Sequence, residues 1–172
     1  NDIVTWDIDS IATGAGTIDV FVAVNWLSVG PVGVVAMYKQ TAAQEVSHET
    51  IEIVDYETQV YDTHGFVTTG AAWKFLPTVA GYYAISAALR FDTTATWALG
   101  ERGILYVYKN GAVFAHLSRP DNYSNTAMYM NLVGGALVVY LNGTTDYIDV
   151  RIIQGSGGAL NTVASAQSNW VS

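Results

Sequence analysis

The sequence predicts an all-β sandwich or barrel, and three observations carry that reading. Short β-like runs recur at about ten-residue spacing, the rhythm of strands joined by tight turns. No stretch sustains the period of an amphipathic helix. Glycine, asparagine and proline punctuate the gaps, most plainly at Pro77 and Gly81, at Asn110-Gly111 and at Asn142-Gly143.

Residues 1–31 read as an N-terminal β arm or hairpin. Ile3-Val4-Thr5-Trp6-Asp7-Ile8 is one apolar run. Ile18, Val20, Val22, Val24 and Trp26 line one face of a second, and Thr13-Gly14-Ala15-Gly16 turns between them. Phe21, Ala23 and Leu27 make the opposite face apolar too, so the arm needs cover on both sides, from another subunit or a larger surface. Gly30-Pro31 with Gly33 marks the boundary to a body over 32–172.

Within the body, 34–38 reads as a strand. The polar connection 39–50 has room for a short helical turn at 42–49, and 51–61 reads as one extended segment with Ile51, Ile53, Asp55 and Glu57 on a single face. Residues 82–91 form the clearest strand: Tyr83, Ile85, Ala87, Leu89 and Phe91 alternate with Tyr82, Ala84, Ser86, Ala88 and Arg90. A loop over 92–101 carries Trp97. Residues 104–109 and 112–117 flank Asn110-Gly111 and form a hairpin, because this dipeptide readily takes the positive φ angles of a type I′ turn. After a polar loop with Tyr123, strands follow at 127–133, 136–141 and 147–153, and weaker segments run on to Trp170-Val171.

With 172 residues the chain suits one full-sized domain and an appendage. A hydrophobic content of 51% and a mean hydropathy of +0.25 are high. Yet no apolar run nears the roughly 20 residues of a membrane-spanning helix, so no membrane insertion is expected. The excess must be buried in a core or against partners. Several strands are apolar on both faces: Leu137, Val139 and Leu141 back onto Ala136, Val138 and Tyr140, and 104–107 is similar. A sandwich buries one face of each sheet, so a second apolar face implies subunit contact or cover by the chain's own arm. The apolar excess favours subunit contact.

Fifteen acidic against 7 basic residues leave a net charge of -8, which repels a phosphate backbone, so no nucleic-acid partner is expected. There is no cysteine, hence neither a disulfide framework nor a thiolate metal site. The chain opens at Asn1 without a signal-like segment or lipidation motif, which reads as a processed, trimmed or partial chain.

The body carries an ordered series of motifs. Thr-Ile-Glu-Ile-Val-Asp-Tyr-Glu-Thr over 50–58 leads to Tyr61-Asp62, and Phe75, Pro77, Gly81, Tyr82 and Tyr83 follow. Then come Tyr108-Lys109-Asn110-Gly111, the run 132–140, Asn142-Gly143 with Asp146-Tyr147-Ile148, and a closing Asn169-Trp170-Val171. In this order they resemble the C1q/tumour necrosis factor-like jelly roll, a trimeric globular head that also recurs in bacteriophage structural proteins. Two places depart from that pattern. Asn142-Gly143-Thr144-Thr145-Asp146 stands where the family often has glycine-aspartate, and Ser168-Asn169-Trp170-Val171 replaces a phenylalanine-rich last strand. No collagen-like repeat precedes the body, which points to the viral or bacterial versions.

Catalytic constellations are scarce. His48, His64 and His116 are scattered without metal-ligand spacing, so they read as ordinary solvated or packed histidines. Asp55 and Glu57 are the only carboxylate pair suited to glycoside chemistry, and exposed edge-strand acids explain them as well. No cofactor is expected. Some members of the resembled family hold calcium at their apex, and Asp146 and Asp149 are the acids this sequence offers for it. Asn122-Tyr123-Ser124 and Asn142-Gly143-Thr144 match the glycosylation sequon in predicted loops. Trp97, Tyr106, Tyr108, Tyr123 and Tyr129 are either a sugar-stacking platform or aromatic packing between subunits. The family places aromatic residues along its three-fold axis, so the resemblance assigns Tyr106 and Tyr108 to assembly. Trp97 and Tyr123, on loops, remain candidates for ligand contact, a surface glycan included.

The resulting expectation is a non-enzymatic virion structural protein, a homotrimeric head that decorates a phage capsid or tips a fibre. Its arm, with Ile18, Val20, Phe21, Val22, Val24 and Trp26, would dock on a capsid or tail protein. Tyr106, Tyr108, Val138 and Tyr140 would meet neighbouring subunits. The alternative is an extracellular bacterial or archaeal surface filament or adhesin subunit at the cell surface, in which the arm completes a neighbour's sheet by strand exchange.

Overall fold

Two antiparallel sheets packed face to face hold most of the strands. The structure, a computed structural model, describes residues 33–92, 97–123, 131–133 (backbone only), 136–165 and 169–172. The arm over 1–31 lies outside them. In chain order the strands are β1 (Ala36–Lys39), β2 (Glu45–Val46), β3 (Glu52–Ile53), β4 (Thr58–Asp62) and β5 (Val67–Thr68). Next come β6 (Lys74–Phe75), β7 (Gly81–Ile85), β8 (Ala87–Arg90), β9 (Gly103–Lys109) and β10 (Ala112–Ser118). The last are β11 (Asn131–Val133), β12 (Leu137–Leu141), β13 (Ile148–Gln154), β14 (Leu160–Asn161) and β15 (Trp170–Val171). The described residues contain no helix, so the expected all-β class holds.

The first sheet has the order β11-β8-β15-β1-β4, and the second β10-β9-β13-β6-β5, with β3 on β13. The β12–β7 pair prolongs the first sheet: Leu137 to Leu141 face Ile85 to Gly81, just as Asn131 to Val133 face Arg90 to Ala88. The closing strand β15 lies between β1 and β8. Tyr38, Val171 and Ala87 therefore fall in one inward row. Buried Asn169 anchors that strand: its Nδ2 donates to Gln40 Oε1 (2.8 Å) and the Val163 carbonyl (2.7 Å), and its Oδ1 accepts from the Arg90 N–H (2.9 Å). This satisfies polar groups that would otherwise be stranded in the core.

The core lies between the sheets. Ile85, Ala87 and Leu89 from the first meet Leu105, Val107, Ile148, Val150 and Ile152 from the second, all buried. Each such leucine or isoleucine contributes about 1.5–3 kcal/mol. The strand period of two sorts these residues cleanly, since Leu105 and Val107 point inward while Ile104, Tyr106 and Tyr108 point away.

The hairpin forms as its turn dipeptide predicts: Asn110 has φ 53° and Gly111 φ 79° between β9 and β10. Three predicted elements differ. The strand over 82–91 is broken at Ser86, whose N–H and carbonyl both bond to Ser172 (2.8 and 2.9 Å), the position that follows Val171 in the register of β15 on β8. The segment 51–61 splits into β3 and β4, which belong to opposite sheets. Between them Val54 and Tyr56 are fully buried, and Gln44 braces the crossing by donating to the Ile53 carbonyl (2.8 Å) and accepting from the Asp55 N–H (3.1 Å). Residues 42–49 make no helical turn but supply β2, which pairs with β14.

Asp62 ends β4 and closes the turn into β5. Its Oδ1 accepts from the N–H groups of His64 (3.2 Å) and Gly65 (2.8 Å), and its Oδ2 from Val67 N–H (3.2 Å) and the Tyr38 hydroxyl (3.1 Å). Burial works against its charge, but the backbone donors more than offset this and hold the carboxyl below its ordinary range. Burial and then the nearby Asp62 charge push the Tyr38 phenol up to about 12. A depressed folded-state value means that Asp62 stabilises the fold above its unfolded pKa and loses that contribution as pH falls through the folded one. Asp62→Asn is therefore expected to cost about 1 kcal/mol at pH 7, allowing for partial exposure. The gap between variant and parent should shrink in acid, below the ordinary carboxylate pKa. Urea midpoints at neutral and low pH check this, and an unchanged gap would count against it.

Candidate functional site

Among the described residues, the outer face of the β7–β12 pair is the most exposed apolar feature on a regular element. Alternation puts Tyr83, Ile85, Val139 and Leu141 against the core, so Tyr82, Ala84, Val138 and Tyr140 must point out. Tyr82 stands directly across from Tyr140, and Ala84 across from Val138. The two tyrosine rings lie 5.3 Å apart at 60°. Tyr82 is 79% exposed, Val138 60% and Tyr140 47%, in a fold whose charged residues are few. Lys109 Nζ donates to the Tyr140 carbonyl (2.7 Å) and pairs with Asp146 (2.8 Å), which ties this face to the hairpin turn. A paired aromatic ridge on a rigid sheet is suited to burial against another protein surface.

The other doubly apolar strand behaves differently. Tyr106 and Tyr108 are already buried within the chain, so they offer little area to a neighbour, and their assignment to assembly is corrected accordingly. Cross-strand register explains the cover: Ile104, Tyr106 and Tyr108 stand opposite Ile153, Arg151 and Asp149 of β13. The Arg151 guanidinium sits 4.0 Å from the Tyr108 ring centroid, and His116 meets Tyr106 edge-on at 4.8 Å. Arg151 is held there by Asp149 through bonds of 2.6 and 3.1 Å.

Trp97 is also corrected. It is 1% exposed and packs on Phe91 at 5.5 Å, so it belongs to the core and cannot stack a ligand from solvent. The neighbouring Asn122 is fully buried and donates to the Trp97 carbonyl (2.6 Å), which removes it as a glycosylation acceptor. Tyr123 is 83% exposed. Asn142 Oδ1 accepts from the N–H groups of Thr144, Thr145 and Asp146, so turn chemistry accounts for that asparagine. Ile18, Val20, Phe21, Val22, Val24, Trp26 and Tyr129 lie outside the described residues.

The polar candidates are committed to structure. Asp55 and Glu57 border one surface depression with Gln40 and Gln44. Asp55 Oδ1, however, accepts from Gly70 N–H (2.8 Å), and Glu57 Oε1 from Thr41 N–H (2.6 Å) and Ala42 N–H (2.9 Å). Burial opposes the Glu57 charge, yet those donors hold its carboxyl below the ordinary range, the wrong direction for a general acid. Asp146 takes Lys109 and Asn110, and Asp149 takes Arg151, so a basic side chain already occupies each acid that the resemblance offers to calcium. Among the described residues no three histidines or acids group as a metal would need. His48, His64 and His116 sit apart, against Gly157, Thr63 and Tyr106 respectively.

Sequence reasoning named Val138 and Tyr140 but passed over Tyr82. The signal was present, since Tyr82 and Ala84 alternate with Tyr83 and Ile85, which face the core.

No family model matches the chain, and no curated protein matches it. Solved structures do. Eiger TNF from S. frugiperda is similar with a TM-score of 0.53, at 12% identity over 79% of this chain and 87% of that one. Murine APRIL at pH 8.0 has a TM-score of 0.51, at 13% identity over 79% of this chain and 93% of its own. Murine APRIL at pH 8.5 gives 0.50 and 16% over the same shares. Likeness at such identities speaks to architecture alone. Together with the sheet order and the placement of the closing strand, it shows that the body of this chain has a jelly-roll fold like that of tumour necrosis factor-type proteins.

Proposed function

We propose that the protein is a non-enzymatic structural head that assembles as a homotrimer and is carried on its N-terminal arm as part of a virion, either decorating a phage capsid or tipping a fibre. The exposed Tyr82–Tyr140 ridge with Val138 carries this reading: among the described residues it is a paired aromatic face on a sheet left largely open to solvent. The resemblance to trimeric heads supplies the stoichiometry, and a closed ring of three would bury the ridge on every copy. The arm's two-faced apolar strand is the attachment element, docking onto a capsid or tail protein by strand addition. The carboxylates of Asp55, Glu57, Asp62, Asp146 and Asp149, committed to backbone donors and ion pairs, support a structural rather than catalytic role. Exposed Tyr123 is the residue left for contact with a surface glycan.

One observation favours a second reading, a cell-surface filament joined by strand exchange. Strand β4 is an edge of its sheet among the described residues and exposes Gln59, Val60 and Tyr61, a place where a neighbour's arm strand could add. Imaging the native assembly with an antibody against the body separates the two. Label on capsids or fibre tips is expected. Label along cell-surface filaments supports strand exchange instead, and label on neither would end both readings.

A further inference from the structure

The closing strand fills only part of the channel between its two neighbours. Val171 faces Tyr38 on β1 and Ala87 on β8, and Ser172 exchanges both backbone bonds with Ser86. Carried further, the same register runs between Val34, Val35 and Ala36 on one side and Ile85, Ala84 and Tyr83 on the other. No strand among the described residues lies there, since β1 pairs otherwise with β4 and β7 with β12. A cavity of about 280 Å³ occupies this gap. Those six residues and Ser172 line it, with buried Trp73, Phe75 and Ile148 beneath them, and no charged side chain among its walls.

Backbone alternation shows what the gap offers. Val35 turns to β4: its N–H donates to Thr63 Oγ1 (3.1 Å) and its carbonyl accepts from the Thr63 N–H (3.0 Å). Gln40 turns the other way, its N–H donating to the Asn169 carbonyl (3.1 Å). Successive residues of a strand bond to opposite sides, so Ala36 presents its N–H and carbonyl to the gap. Ala84, two before Ser86, presents its own from the facing strand, while Tyr83 and Ile85 turn to β12. Neither Ala36 nor Ala84 has a ladder partner on that side among the described residues. A cavity edged on both sides by unpaired main-chain groups has the shape of an open strand position.

We infer that this gap is the acceptor site for the N-terminal arm of a second copy, which adds there as an antiparallel strand. The inference rests on the strand-exchange reading and moves its acceptor from the β4 edge, which offers one ladder, to a gap that offers two. Period two selects the segment. An added strand sends alternate side chains inward onto Trp73, Phe75 and Ile148, where no charge is tolerated. Val22-Ala23-Val24 is the window of the arm run that puts two valines inward and its smallest side chain outward, between Val35 and Ala84. A cavity of about 150 Å³ already holds benzene, so this one has room for two valine side chains.

The chain has no cysteine, so engineered pairs report cleanly. Two differently tagged full chains are co-expressed, one with Val35→Cys and the other with Ala23→Cys, and oxidised in air. Val35 turns its backbone away from the gap, so Ala23 forms a non-hydrogen-bonded pair with it, at a Cα separation of about 4.5 Å that a disulfide spans. A link between the two chains is expected, about tenfold more abundant than with Val22→Cys, whose side chain lies on the other face. Ala36→Phe in the Val35→Cys chain fills the gap and should cut the link about tenfold. Equal linking from Ala23→Cys and Val22→Cys overturns the inference, as does a link that survives Ala36→Phe. The first comparison decides the point even where Ala36→Phe fails to fold. A link from Ala23→Cys to Val60→Cys on β4, with none to Val35→Cys, overturns this acceptor site and leaves strand exchange standing. No link to either position ends both.

Discussion

Replacing Gly143 by alanine is expected to lower folding stability by about 2–5 kcal/mol, the sum of a left-handed backbone penalty and a forced backbone displacement. Gly143 has φ 70°, and a Cβ there would stand 2.4 Å from the Ala80 nitrogen and 2.7 Å from the Val79 carbonyl carbon. Both contacts are backbone, so no side chain can swing aside. Gly111 is the internal comparison. Its φ of 79° carries the same conformational penalty, but an added Cβ would come no nearer than 3.6 Å, to the Tyr147 hydroxyl. Gly111→Ala should therefore cost only about 1 kcal/mol. Urea unfolding of both variants at one protein concentration, which matters for an assembling protein, decides the point. Equal losses would mean that the approach of the 142–146 turn to the β6–β7 connection is not as close as described.

The second large effect concerns assembly. Tyr82→Lys combined with Tyr140→Lys should convert trimers to single chains at micromolar concentration while the far-ultraviolet spectrum keeps its β signature. Aromatic residues at the centre of an interface commonly cost 2 kcal/mol or more each when removed, and a lysine adds the desolvation of a charge. Both side chains are solvent-exposed in the single chain, so neither change disturbs the core. Tyr82→Phe keeps the ring and should keep the trimer. If the double variant still assembles, the ridge is not the contact and another surface must be sought.

How far the sequence foretold these features depends on whether local chemistry or distant packing decides them. The β9–β10 hairpin was legible because Asn110-Gly111 fixes its backbone by itself, and the outward set of β12 because alternation is local. The break at Ser86 was not, since it answers to Ser172 at the far end of the chain. The split of 51–61 likewise depends on Gln44 and on a crossing between sheets that no periodicity encodes. Trp97 was read as a ligand contact because its surroundings in sequence are polar and loop-like, whereas its partners, Phe91 and Asn122, come together only in the fold. Tyr106 and Tyr108 were assigned to subunit contact because their strand is apolar on both faces, whereas their cover by Arg151, Ile153 and His116 requires the register of three strands. Apolar excess thus predicted surplus faces but could not say which of them the chain covers itself.

As a trimeric head built on the proposed Tyr82–Tyr140 contact, the protein should hold three chains together in solution. The mass of the purified, unmodified protein in solution, measured by sedimentation equilibrium, tests it most directly. Three times the 18.5 kDa of one chain is expected across micromolar concentrations. A species of 18.5 kDa with all its strands ordered would contradict it.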